Sequence, residues 1–423
     1  MASSKSQSST RVVVFLIIGL IVGAALGYSG AAFSQKPSVP TKTMTYTIGI
    51  VTDLSGGGES FGKETLTAAQ IALGEINSNL AQSGSNVRFA LSSPQDSLTT
   101  TDGAVSAVQT LASAGDTIIL CHCWSGQLSA IESYANSNDI VVVSVSSTSN
   151  LLAVPKGYLF RLIAPDSFQG KALSTLLWHD GVRKVAVIYR DDPYGQGISA
   201  VLKTDFTGLG GTVSLEAYEP SLADYASEVV TLSTNVKSLG VGPQTAVLFV
   251  GFAAEAVNIF THASVDSTLT QVRWFSSEGP KGPDILPPKV PDAIGSFEVQ
   301  TSLTGTFPQS ITPNSIEDSF LTAFQSASGS APMAYGEQAY DGIYLLANTI
   351  LNVGSYNSTA VKNMLPIIAQ HMFGASGPMQ LDSNGDRATQ DYVVWTVARS
   401  QTAYNFVNIG GWSGSTGVLT MGS

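Results

Sequence analysis

Three residue patterns in this sequence have types and spacings that could support metal or nucleotide chemistry. Cys121-His122-Cys123 offers metal ligands, but zinc sites prefer spacers of about two to four residues, and no fourth ligand stands nearby. Residues 57–63 match G-x-x-x-x-G-K, yet the next residue is Glu64, whose carboxylate repels phosphate where Ser or Thr binds magnesium. Residues 382–386 begin like a calcium loop, but Arg387 replaces the required glycine. We therefore expect no metal ion and no cofactor.

The two cysteines and the four histidines give no sign of catalysis. Cys121 and Cys123 are two residues apart near the end of a predicted strand, so their side chains share a face and point in parallel. A disulfide needs converging side chains, so we expect two buried thiols, although the sequence leaves a disulfide open. The histidines are scattered (His122, His179, His262, His371), with none of the spacing along one helix that a metal site would need. The chain is predicted not to be an enzyme.

Strands and helices alternate along most of the chain. Asp166 and Ser167 are good N-cap residues and should open a helix. The periodic runs predict helices over 65–79, 102–114, 166–180, 195–209, 224–236, 253–263, 315–326 and 335–351. They predict strands over 46–53, 89–93, 117–121, 140–143, 185–189, 213–219, 247–252, 272–277, 392–399 and 405–409. This alternation indicates a parallel α/β sheet, in which ligands bind beyond the carboxyl ends of the strands.

Length and charge narrow the class of protein. The chain has 423 residues, which exceeds the usual range of about 100–200 residues for one domain. Its net charge is −11 and it has no Lys/Arg cluster, so we exclude nucleic acid as a partner, because that affinity comes from neutralising phosphates.

The N-terminus carries an apolar run over residues 12–26. A signal peptide has an apolar core of about 7–15 residues, and a membrane-spanning helix needs roughly 20, so both remain possible. Lys5 and Arg11 precede the run, which places the N-terminus inside the cell and the remainder outside. We favour a signal anchor that holds the protein on the outer face of the membrane; cleavage would make the protein secreted.

A set of motifs in the middle of the chain resembles a known family. Phe160-Arg161, Pro165-Asp166 and Gln169-Gly170 are followed by VAVIYRDDPYGQG from Val185. In this order they resemble the Leu/Ile/Val-type (branched-chain amino acid) substrate-binding proteins of ABC transporters, and the resemblance runs from about Tyr46 to the C-terminus. It implies the type I periplasmic-binding fold: α/β, with two Rossmann-like lobes that have parallel central sheets and are joined by three crossovers. Here an N-terminal hydrophobic helix precedes the lobes.

The resemblance also implies domain boundaries and two charge clamps for an amino acid. The boundaries are a signal anchor or signal peptide at 1–33, a linker at 34–45, lobe 1 at 46–165 plus 302–377, and lobe 2 at 166–301 plus 378–423. The ligand carboxylate would meet the hydroxyls of Ser125 and Thr148 and the backbone of Ser146 and Ser147, near a helix N-terminus that favours anions. The ligand ammonium would meet Glu278.

Aromatic residues would complete the implied site. Tyr194 would close over the ligand from the second lobe, and Phe61, Trp124 and Phe252 would form the side-chain pocket. Family members often carry Tyr where this chain has Phe61 and Phe252, and a small residue where it has Trp124. These departures make the pocket more apolar and smaller, which puts the identity of the ligand side chain in doubt.

The expected function follows from this resemblance. The chain is expected to be an extracytoplasmic protein that captures an amino acid, branched-chain or other small aliphatic, between its lobes and delivers it to an ABC permease. An amide or urea receptor and a ligand-sensing ectodomain of the same fold remain alternatives.

Overall fold

The computed structural model describes residues 42–155, 157–309, 313–401 and 403–422. The N-terminal hydrophobic helix and most of the linker lie outside these ranges, so both stay predictions. Within the described ranges, no helix is long and apolar enough to cross a membrane.

The first sheet consists of parallel strands in the order β2-β1-β4-β5-β6, with β3 beside β1. Its strands are β1 Met44–Thr52, β2 Val87–Leu91, β3 Gln95–Asp96, β4 Ile118–Cys121, β5 Val141–Ser144 and β6 Leu159–Arg161. Every residue of β4 and β5 is buried. Such apolar runs form where helices cover both faces of a parallel sheet.

The second sheet has the order β16-β15-β14-β11-β10-β9-β7-β8. Its strands are β7 Lys184–Arg190, β8 Thr212–Tyr218, β9 Thr245–Val250, β10 Arg273–Ser276, β11 Thr304–Pro308, β14 Tyr392–Arg399, β15 Tyr404–Trp412 and β16 Leu419–Met421; a separate hairpin contains β12 Phe373–Gly374 and β13 Gly377–Pro378. The strands from β8 to β11 are parallel, and β14, β15 and β16 add antiparallel pairs. The prediction of a parallel-rich α/β fold is confirmed.

Helices cover both sheets. They are α1 Glu59–Gln82, α2 Thr101–Ser113, α3 Ser125–Ser137, α4 Asp166–His179, α5 Pro193–Gly208, α6 Ala226–Leu239, α7 Ala253–Ala263, α8 Asp292–Gln300, α9 Ser315–Ser328, α10 Gly336–Val353 and α11 Ser358–Ala369. The first sheet packs with α1–α3 and α9–α11, which we call the first lobe. The second sheet packs with α4–α8, which we call the second lobe.

Helix α8 occupies the segment just before residue 302, where the chain was expected to return to lobe 1. Ile294 and Phe297 are buried three residues apart on one helical face, and Pro291 precedes the first helical residue. The next strand, β11, pairs with β10 and β14, so the second sheet extends to Pro308, beyond the predicted return to lobe 1 at 302.

The expectation of two free thiols is wrong. Cys121 and Cys123 form a disulfide, with Cα atoms 5.2 Å apart. This separation lies within the usual range of about 4.4–6.8 Å for bridged cysteines. Strand β4 ends at Cys121, so Cys123 lies beyond the strand, where strand alternation no longer sets its side-chain direction.

Candidate ligand-binding site

The candidate site is built from residues that follow the carboxyl ends of strands in both lobes. Strand β4 leads to Trp124 and Ser125, and β5 leads to the loop over residues 145–149. In the second lobe, β9 leads to Phe252 and β10 leads to Glu278. Since carboxyl ends of parallel strands share one edge of a sheet, the topology brings these residues to the two facing edges.

Glu278 is a buried acid that both lobes contact. Its side chain is only 1% exposed. Tyr335 Oη, from the residue before α10 in the first lobe, donates to Glu278 Oε1 at 2.8 Å, and Tyr194 Oη, from α5 in the second lobe, donates to Oε2 at 3.0 Å. Burial raises the pKa of Glu278, and the two phenol hydrogen bonds act in the opposite direction. The predicted closeness of Tyr194 and Glu278 is present in the structure.

A second buried acid, Asp166, was expected only as a helix cap. It is the first residue of α4, and its fully buried carboxylate oxygens make no hydrogen bond of ordinary geometry with the described part of the chain. Burial raises the pKa of Asp166 well above its usual value, and the charge of Glu278 raises it further. Thr148 and Arg161 act to lower it, but the Arg161 guanidinium is already paired with Asp386 at 2.6 Å.

Three buried tyrosines enclose these two acids. Tyr194, Tyr335 and Tyr392 all have pKa values raised well above the usual range, first by burial and next by the charge of Glu278. Tyr335 also has a φ of 77°, in the left-handed region that is unfavourable for a bulky residue. Such backbone strain often occurs at functional sites, because the surrounding structure has to impose it.

Local structure fixes the direction of Tyr194. The Asp192 carboxylate caps α5 by accepting from the backbone N–H groups of Tyr194 and Gly195, each at 3.0 Å, and Pro193 takes the first helical position. The Tyr194 hydroxyl then reaches Ser277 Oγ at 2.8 Å in addition to Glu278. Hydrogen bonds thus join the first turn of α5 to the residues that follow β10.

The hydroxyl side of the site lies in the first lobe. Ser125 starts α3, and its Oγ accepts from Ser149 N at 3.1 Å and from Ser147 Oγ at 3.3 Å. Ser146 and Thr148 are 3% exposed, and within the described chain neither hydroxyl oxygen makes a hydrogen bond of ordinary geometry. Buried polar groups nearly always have partners, so unsatisfied hydroxyls beside a helix N-terminus indicate a place for a ligand.

Aromatic rings close the space between the lobes. The ring centroid of Trp124 lies 4.4 Å from that of Phe252 in the second lobe and 5.5 Å from that of Phe61 in the first. Phe252 also stacks on Tyr194 at 5.4 Å. The structure therefore brings together Phe61, Trp124 and Phe252, as the predicted side-chain pocket requires.

Two buried polar residues beside these rings were missed by the sequence reading. Asp53, at the end of β1, accepts from Trp124 Nε1 at 2.5 Å, and Gln127 Nε2 donates to it at 3.3 Å. His122 bonds Thr65 through Nδ1 at 2.8 Å, and burial lowers its pKa to about 4, so it is neutral near pH 7. A buried acid directly after an apolar strand is the signal that could have identified Asp53.

The structure gives no arrangement typical of a metal centre. Across the described ranges, no group of three or more His, Cys, Asp or Glu side chains is placed to hold a metal ion. The acids of the site face phenol groups and hydroxyls instead, which suits a ligand that carries both a positive and a negative group.

The family model described as the receptor family ligand binding region matches residues 64–400. The chain belongs to this family. A Leu/Ile/Val-binding protein homolog 2 from Brucella abortus is 21% identical over 92% of this chain and 98% of its own length. An uncharacterized protein from Methanocaldococcus jannaschii is 26% identical over 95% of this chain and 98% of its own length.

Solved structures of solute-binding proteins have a similar fold. The branched-chain amino acid substrate-binding protein LivJ from Streptococcus pneumoniae, in complex with isoleucine, has a TM-score of 0.67 at 20% identity, covering 86% of this chain and 100% of that one. A solute-binding protein from R. palustris, in complex with 4-hydroxybenzoate, has a TM-score of 0.72 at 16% identity, covering 88% and 98%. The resemblance to Leu/Ile/Val-type proteins of the type I periplasmic-binding fold is confirmed, and these family members are binding proteins rather than enzymes.

Proposed function

We propose that this protein is an extracytoplasmic receptor that binds the zwitterion of an amino acid between its two lobes and delivers it to an ABC permease. One observation carries the proposal: the buried Asp166 carboxyl group, which makes no hydrogen bond of ordinary geometry with the described residues, lies close enough to buried Glu278 for the charge of Glu278 to raise its pKa.

Two neighbouring buried acids call for a cation. Burying an ionised carboxylate is costly, and burial is the largest cause that raises the pKa values of both acids. An ammonium group supplies the missing charge and can donate to both carboxylates at once. Glu278 keeps its geometry through the hydroxyls of Tyr194 and Tyr335, so a ligand meets an acid that is already oriented.

Ser125 and the loop over residues 145–149 offer hydroxyl groups that can bind a carboxylate at the other end of the ligand. Ser125 Oγ already accepts two hydrogen bonds, so its own proton remains for donation, since a hydroxyl offers one donor and two acceptor sites. The Ser146 hydroxyl adds a further donor, and so does that of Thr148, which also lies near Asp166. Ser125 is the first residue of α3, and Ser147 and Ser149 hydrogen-bond to its Oγ, so this loop lies at the helix N-terminus, where the helix dipole favours an anion.

These charges discriminate against the other ligand classes. An aromatic acid such as hydroxybenzoate carries a carboxylate but no cation, so it leaves Asp166 and Glu278 without a counter-charge. A neutral amide or urea carries no positive charge either, so it also leaves Asp166 and Glu278 without a counter-charge. The 4-hydroxybenzoate-binding neighbour therefore shares the fold with this chain, whereas the paired acids favour an amino acid.

Closure of the lobes is the mechanism that couples binding to delivery. The ammonium clamp uses Glu278 of the second lobe, and the carboxylate clamp uses Ser125 of the first, so a bound zwitterion holds both lobes together. The hydrogen bond from Tyr335 to Glu278 already crosses between the lobes. A permease can then recognise the closed form.

Calorimetric titration of residues 42–423 with a ligand panel tests the proposal. The panel contains the common amino acids, acetamide, urea and 4-hydroxybenzoate. We expect at least one amino acid to bind in the micromolar range or tighter, with a stoichiometry of about one, and the other classes to give no measurable heat. Flat titrations for every amino acid would reject the ligand class. Delivery is tested by uptake: cells lacking the protein should lose high-affinity uptake of the amino acid that it binds.

A further inference from the structure

We infer that the Trp124 indole fills the space that a ligand side chain would need, so that the site accepts glycine, alanine or serine and excludes leucine, isoleucine and valine. This inference rests on the proposed amino-acid function and names the size class of the ligand.

The position of Trp124 places its ring beside the ligand. It directly precedes Ser125, the residue at the centre of the carboxylate clamp, so its side chain starts one residue from the clamp. The ring centroid lies 4.8 Å from that of His122 and 6.1 Å from that of Tyr335, whose hydroxyl holds Glu278. The Trp124 indole therefore occupies the space next to the ligand, between the carboxylate clamp and the ammonium clamp.

Aromatic residues from both lobes pack against the Trp124 indole. Phe61 of the first lobe meets it edge-on, with an interplanar angle of 88°, and Phe252 of the second lobe approaches to 4.4 Å between centroids. Only 8% of Trp124 is exposed. Protein interiors are packed as densely as organic crystals, so an isobutyl group cannot enter this space unless the ring leaves it.

A hydrogen bond opposes that departure. Trp124 Nε1 donates to the buried Asp53 carboxylate at 2.5 Å, and Asp53 is itself held by Ser97 and Gln127. A Cβ atom added at Gly58 would lie 2.9 Å from Trp124 Nε1 and would also overlap the Asp53 carboxylate, so a glycine is required for this approach. Moving the ring would remove a hydrogen-bond donor from a buried carboxylate, which is unfavourable because the carboxylate oxygen would be left unsatisfied.

Replacing Trp124 by Ala tests the inference through the ratio of two affinities. We expect the wild-type protein to bind alanine at least about tenfold tighter than leucine. In the Trp124→Ala variant, the ratio of leucine affinity to alanine affinity should rise at least about tenfold above the wild-type ratio. Each factor of ten corresponds to about 1.4 kcal/mol. Calorimetry with alanine and with leucine measures both constants.

Trp178→Ala is the matched control, because Trp178 lies in α4 under the Arg183 guanidinium and touches none of these rings. It should keep the wild-type ratio. If Trp124→Ala does not fold, judged by circular dichroism, Trp124→Phe provides the same test with a smaller ring and should also raise leucine affinity. Wild-type binding of leucine as tight as alanine, or an unchanged ratio in the Trp124 variants, would overturn the inference while leaving the amino-acid function intact. Absence of binding for every amino acid in all of the variants would reject both.

Discussion

Replacing Glu278 by Gln should weaken amino-acid binding at least about tenfold, which is about 1.4 kcal/mol. Glu278→Gln keeps the size of the side chain and the oxygen that can accept from one tyrosine, but it removes the charge that faces the ligand ammonium. Asp166→Asn should weaken binding to a similar extent, because Asp166 is the other acid of the ammonium clamp. Calorimetric dissociation constants, taken with the amino acid that the wild type binds best, measure these losses.

Ser125→Ala is the matched comparison for these two variants. Its loss should be smaller, since the ligand carboxylate keeps the hydroxyls of Ser146 and Thr148 and the N-terminus of α3. Hydrogen bonds to charged groups contribute about 1.5–3 kcal/mol each. Because several donors bind the ligand carboxylate, losing one of them weakens binding less than losing the charge of an acid that faces the ammonium. Wild-type affinity in Glu278→Gln together with Asp166→Asn would show that neither acid contacts the ligand.

Replacing Asp386 by Ala should destabilise the folded protein by about 3–5 kcal/mol, the usual cost of breaking a buried ion pair. Asp386 and Arg161 are both 0% exposed, and two parallel hydrogen bonds of 2.6 Å join them. Removing the carboxylate leaves a buried guanidinium without its counter-charge. The free energy of unfolding, from denaturant titration followed by circular dichroism, measures the effect.

The control for Asp386→Ala is Asp224→Ala. Asp224 is 60% exposed and pairs with His262 at 3.1 Å, and exposed ion pairs contribute only about 0–1 kcal/mol. Equal stabilities of the two variants would show that the Arg161–Asp386 pair does not hold the fold.

The Arg161–Asp386 pair also explains how distant segments support the site. Arg161 Nη1 donates to the carbonyl oxygens of Ser149 at 2.8 Å and Ser147 at 3.3 Å. These hydrogen bonds hold in place the loop over residues 145–149, which forms part of the carboxylate clamp. Residues 382–386, which begin like a calcium loop in the sequence, thus serve to place Asp386 beside Arg161, with Gly385 at a φ of 79° in the turn.

The elements with strong local signals were predictable from the sequence. The structure reproduces the predicted bounds of helix α7 and strand β14, because an apolar helical stripe and a long apolar run leave little ambiguity. Helix α8 was not predicted, because its short sequence gives only a weak helical pattern. Helix α11 was missed although Asn357, its N-cap, accepts from Ala360 N at 2.8 Å; Pro366 inside the helix weakened its pattern.

The candidate site was predictable only where the residues follow strands or match family motifs. Glu278 and Ser125 were found in this way. Tyr335 was missed because it comes from the start of a helix that is distant in sequence, and only the fold brings its hydroxyl to Glu278. Asp166 was interpreted as a helix cap because Asp often caps helices, and its burial beside a second acid appears only in three dimensions.

The central claim is that the site recognises an ammonium group and a carboxylate on the same small molecule. Calorimetric titration of the wild-type protein with alanine, propionate and ethylamine tests it most directly, because the second ligand lacks the ammonium and the third lacks the carboxylate. We predict that alanine binds with a dissociation constant in the micromolar range or below and that the other two give no measurable binding. Propionate or ethylamine binding as tightly as alanine would contradict the account.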